Sequence, residues 1–110
     1  MADEETFDIP TVAMGVILNA GDARVFIDKA MDALAELDVE AAEGYLGRAE
    51  EKILAAHRSQ TNAIQREASG ETMDFSVLFV HAQDTLMTIA AELHMAKKML
   101  PIVKALAQGK

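Results

Sequence analysis

The chain has 110 residues, a formal net charge of −8, 51% hydrophobic residues, 5% aromatics and no cysteine. That length fits one domain with a modest core, and the lack of cysteine excludes disulfides, thiolate catalysis and Cys-based zinc sites. The negative charge makes nucleic acid and anionic membrane surfaces poor partners and favours a basic protein instead.

Residues 1–9 read as an acidic N-terminal tail and residues 10–110 as a single helical domain. The opening MADEETFD is opposite in charge to a secretory leader. The early apolar run VAMGVIL falls far short of the roughly 20 residues that cross a bilayer. A cytoplasmic, soluble protein is therefore expected.

Pro10 and Thr11 open the first periodic segment. Ala13, Val16, Ala20, Ala23, Ile27, Ala30, Leu34 and Leu37 recur at alternating spacings of three and four, an apolar stripe along one helix. Gly21 falls within it at a cost of about 1 kcal/mol in helix propensity, which points to the close approach of a neighbouring helix or, alternatively, to an uncompensated defect. Asp38 is placed to cap a second helix, with Glu40 and Glu43 in its first turns. Its stripe runs through Val39, Ala42, Leu46, Ala49, Ile53 and Ala56, turns polar at Gln60 and resumes at Ala63. Gly70 suits the position after a helix end, and residues 69–75 read as a loop. Asp74 or Ser76 can cap the third helix. Its stripe is Phe79, Ala82, Leu86, Ile89, Leu93, Ala96, Leu100, Val103 and Ala107, and Pro101 predicts a kink or local opening. The fold class is all-α, an antiparallel up-down-up three-helix bundle.

The third helix carries a second pattern. At about 100° per residue, Asp84 lies nearly opposite the stripe, beside Val77, His81, Thr88, Ala91, Met95 and Ile102. A lone bundle would give that face to water, yet it is largely apolar, which predicts a partner surface or self-association. Copies of Asp84 meeting on an oligomer axis would either raise their pKa or recruit a cation; alternatively Asp84 sits at the solvated edge of the patch.

Chemistry has few carriers. No His-Glu-x-x-His pattern, phosphate loop or serine triad is present. Of the histidines His57, His81 and His94, one acting alone remains feasible, because a neutral imidazole can carry a phosphoryl group covalently. His81 sits near the start of its helix, where Gln83 and Thr88 can offer hydrogen bonds, although they point in different directions.

The segments MGVILNAGDAR (14–24), AHRSQT (56–61), REASGE (66–71) and SVLFVHAQDTLMT (76–88) together resemble the IIA component of the lactose/cellobiose (diacetylchitobiose) class of the bacterial sugar phosphotransferase system. The resemblance spans nearly all of the chain after residue 9. It implies a homotrimer of three-helix subunits, nine helices in all. It implies His81 as the phosphoryl acceptor through Nε2, with Gln83 as active-site support. The donor would be the general histidine phosphocarrier protein and the acceptor a cysteine of the cognate IIB component, which serves disaccharide uptake through the membrane IIC transporter. Contact with the membrane is then only indirect. Asp84 would lie near the trimer axis, where a divalent cation, usually magnesium, is held; no other cofactor is implied. Thr85 stands where family members commonly carry a second histidine, so no role is assigned to it. Two other readings stay open: a non-catalytic helical oligomeric adaptor, and a metal-binding bundle.

Overall fold

The structure, a computed structural model, describes residues 7–109. Most of the acidic tail expected over residues 1–9 therefore lies outside the described residues. Three helices account for nearly all of the rest: α1 (Ile9–Ala35), α2 (Val39–Ala68) and α3 (Val77–Ala107). Every helix contacts the other two, forming the expected three-helix bundle.

Each helix starts at a side-chain cap. Asp8 accepts from the Thr11 amide at 3.2 Å and Asp38 from Ala41 at 3.2 Å. Ser76, rather than Asp74, caps α3 by accepting from Phe79 at 3.0 Å. These oxygens satisfy amides that have no partner within the first turn. Pro10 sits in the first turn of α1, where its missing N–H goes unused. The helix thus begins one residue before the expected domain boundary. Phe7 is also held in place, with the Arg66 guanidinium 4.3 Å from its ring centroid.

The three stripes are the core. Ala13, Val16, Ala20, Ala23, Ile27, Ala30 and Leu34 of α1 are all buried, as are Ala42, Leu46, Ala49, Ala56 and Ala63 of α2. On α3 the stripe is buried from Ala82 to Ala96 and opens beyond it, leaving Ala107 exposed. More than half of the buried residues are alanines, which lets helix axes approach closely while burying little apolar area per residue. The bundle is a rod of 59 × 22 × 20 Å with a radius of gyration of 17.3 Å, against about 13 Å for a compact domain of 100 residues. A thin core in a long rod leaves much apolar surface outside it.

Two expectations are corrected. Leu37 does not extend the α1 stripe: it is 58% exposed and takes a left-handed φ of 62° in the turn to α2. The amides of Leu37 and Asp38 there close on the carbonyls of Leu34 and Ala33 at 2.9 and 2.8 Å. The chain reverses through these two bonds, and reversal takes precedence over spacing. Gly21 is exposed, and a Cβ added there would meet nothing within 4 Å, so no helix of the same chain approaches it. Pro101 lies inside a continuous α3 and opens its backbone ladder locally, as expected. It deprives the Lys97 carbonyl of its partner, but both residues are exposed, so water can take that bond. Gly70 behaves as expected, with φ of +106° just after the end of α2.

Among the described residues no helix is long and apolar enough to cross a membrane.

Candidate functional site

Side chains on α3 alternate between two environments. Ala82, Leu86 and Ile89 point into the bundle and are at most 2% exposed. His81, Asp84 and Thr88, one or two positions away, are exposed. The same outward face carries Val77, Met95 and Ile102, which are 72%, 60% and 60% exposed. The second face expected from periodicity is therefore present: a long apolar strip interrupted by an acid and a histidine near one end.

His81, Asp84, Thr85 and Thr88 share one pocket of about 230 Å³, and its remaining lining residue is Arg24 of α1. His81 lies just past the first turn of α3, where the helix dipole favours negative charge only weakly. Among the described residues no hydrogen bond orients either nitrogen of its ring, so both are open to a reactant. The backbone carbonyl of His81 accepts from the Thr85 hydroxyl at 2.8 Å. Thr85 thus directs its hydroxyl proton into its own helix rather than toward the ring.

Arg24 escaped the sequence reading. It forms a two-pronged pair with Glu92: Nε donates to Oε1 at 3.0 Å and Nη2 to Oε2 at 2.7 Å. This pair ties α1 to α3. The Glu92 bond and charge raise the Arg24 pKa above its already high ordinary value, so the cation is permanent. The available signal was opposite charges flanking two buried stripes. Matching them requires the axial register of α1 against α3, which neither stripe contains.

Gln83 is not brought to His81 within the chain. It lines a separate cleft with Ile9, Ala63, Glu67 and Phe79, on another flank of α3. The remaining histidines lie elsewhere. His57 pairs through Nδ1 with the Thr61 hydroxyl at 3.3 Å, and His94 is exposed. Among the described residues, no three histidine or acidic side chains gather into a metal-binding group.

Comparison with known proteins gives a consistent result. Residues 11–104 match the family model described as "PTS system, Lactose/Cellobiose specific IIA subunit". A lactose-specific EIIA component from Lacticaseibacillus casei is 33% identical over 108 residues, covering 98% of this chain and 95% of that one. The cellobiose-specific enzyme IIA of Bacillus anthracis superposes with a TM-score of 0.85 at 31% identity, covering 98% of this chain and 100% of that one. A chain from the solution structures of a IIA(Chitobiose)–HPr complex gives a TM-score of 0.79 at 26% identity, covering 93% and 99%. On these grounds the chain belongs to the lactose/cellobiose-specific IIA family of the sugar phosphotransferase system.

Proposed function

We propose that this chain is a phosphoryl carrier, taking the group from an HPr-type protein onto His81 and passing it to a IIB component for disaccharide uptake. The observation that carries this reading is the position of His81: exposed on the outer face of α3, with its ring free of hydrogen bonds among the described residues and a pocket beside it. The relative solved as a IIA–HPr complex supports the choice of donor, and the net charge of −8 suits a basic one.

The chemistry needs only the ring. The Nε2 lone pair attacks phosphorus, the donor's N–P bond breaks, and its electron pair returns to the donor imidazole. Each ring keeps one N–H throughout, so no proton has to be moved for the group to cross. Transfer onward to a IIB cysteine repeats the exchange with a thiolate as nucleophile.

The carrier works as a homotrimer in this reading. The apolar strip on α3 would pack about the axis, and a neighbouring copy would bring a Gln83 side chain nearer to a His81 than the same chain does. A symmetry-related helix would also supply the neighbour that Gly21 lacks. Asp84 copies would then face one another. Their oxygens are hard ligands suited to a magnesium-type divalent cation, whose part would be to neutralise the carboxylates rather than to react.

Incubation with phosphoenolpyruvate and the general phosphotransferase proteins, followed by intact mass, tests the carrier role. We expect one acid-labile phosphoryl adduct on the wild type and none on His81→Ala. An undiminished adduct on His81→Ala would falsify the assignment. The exposed apolar strip also fits a non-catalytic adaptor. In that case His81→Ala leaves partner binding and sugar uptake intact, while Met95→Glu disrupts association.

A further inference from the structure

Two segments share a pattern to which no chemistry has been assigned. In each a histidine is followed four residues later by a threonine: His57–Thr61 on α2 and His81–Thr85 on α3. Residues four apart lie on one face of a helix, with β-carbons about 5–6 Å apart. At His57 the pair is closed, the Thr61 hydroxyl oxygen standing 3.3 Å from Nδ1. That contact can run in either direction, since a hydroxyl both donates and accepts. At His81 the direction is decided. The Thr85 hydroxyl places its one proton on the His81 carbonyl at 2.8 Å, so its oxygen can only accept from the ring.

We propose that Thr85 is a positioning residue for His81: its oxygen accepts the Nδ1–H, which holds the proton on Nδ1 and leaves the Nε2 lone pair for phosphorus. This inference rests on His81 being the acceptor. Reach is set by the spacing, and His57 with Thr61 shows that the same spacing closes within this fold. The His81 ring holds no hydrogen bond of its own among the described residues, so it can turn about its side-chain bonds toward Thr85.

The tautomer decides which nitrogen is the nucleophile. With the proton on Nε2, the lone pair sits on Nδ1, the nitrogen nearer the helix backbone. A hydrogen bond at one ring nitrogen sets which of the two carries the proton. As Nε2 attacks, positive charge develops on the ring, and Nδ1–H becomes a stronger donor to the Thr85 oxygen. The proton stays on Nδ1 throughout, so the transfer still moves none. Asp84 lines the same pocket and is the competing acceptor for that proton.

The test uses 15N-labelled, assembled protein in alkaline buffer, where an imidazole is neutral. Ring 15N–1H correlation spectra report which nitrogen of each histidine carries the proton. The rate of transfer from phosphorylated HPr is measured on the same samples, and helix content is followed by circular dichroism. Wild-type His81 is expected to carry its proton on Nδ1. Thr85→Val keeps the shape without the oxygen. It should move the tautomer ratio toward Nε2–H by about three- to tenfold, the contribution of one hydrogen bond, and slow transfer by a similar factor. Thr85→Ser, which keeps the oxygen, should restore both. Thr61→Val should alter only the His57 signals. A wild-type proton on Nε2, a Thr85→Val protein indistinguishable from wild type, or a shift produced by Asp84→Leu in place of Thr85→Val overturns the proposal while leaving the adduct on His81. No adduct on the wild type removes the His81 reading, and this inference with it.

Discussion

The inner and outer faces of α3 are both apolar, yet they do different work. The inner face is a continuous stripe of Ala, Leu and Ile, at most 6% exposed between Ala82 and Ala96. The outer face exposes Val77, Met87, Met95, Met99, Ile102 and Leu106 to between 38% and 72% and sets His81 and Asp84 among them. Polar residues are absent from the inner face because a buried carboxylate or imidazole would lose its hydration with nothing in return. On the outer face they keep water, or the surface of another copy, as a partner. Apolar character alone therefore does not mark the core of this protein. The uninterrupted stripe does, and the interrupted one marks the surface on which the proposed chemistry and assembly would meet.

Substitutions can break this comparison. The largest effect on stability is expected at Leu86, 2% exposed on the inner face. Leu86→Ala should lose about 2–5 kcal/mol through lost burial and the cavity left behind, read by urea denaturation. Met95→Ala on the outer face should lose far less in the unassociated chain; equal losses would mean that the faces are not distinct. Met95→Glu should next convert the assembly to smaller species in sedimentation, because it places a charge on the apolar strip. A trimer that survives it would move the interface elsewhere. Asp84→Leu should keep the trimer or tighten it, since an apolar contact replaces repelling carboxylates; monomers in the same experiment would reverse the role given to Asp84. The smallest effect tests where the inner stripe ends. Leu37→Gly should stabilise the chain by up to about 1 kcal/mol, because glycine adopts the left-handed turn without the penalty a β-carbon brings. A loss there, seen as a lower melting temperature, would place Leu37 in the core after all.

Much of this was legible in the residues. The three stripes, the caps at Asp38 and Ser76, the glycine after α2 and the second face of α3 follow from helical spacing and side-chain chemistry, which are local. Leu37 misled because its spacing continues the α1 pattern while its backbone leaves the helix, and no glycine or proline marks that turn. At Gly21 propensity registers a defect without saying whether a neighbouring helix lies over it, and none of this chain does. His81 and Asp84 could be placed on one face from the sequence, and so could the different direction of Gln83.

The sequence by itself determined which face of each helix turns inward, because within a helix burial of an uninterrupted apolar stripe outweighs the competing local preferences. It also carried the family pattern that identifies the chain. Only the tertiary structure decided how far each helix slides along its neighbour. That axial register brings Arg24 of α1 to Glu92 of α3 and into the pocket of His81. An alanine-rich stripe is nearly uniform along its length, so it fixes direction well and offset poorly. The few large side chains and the packing of all three helices together set the offset.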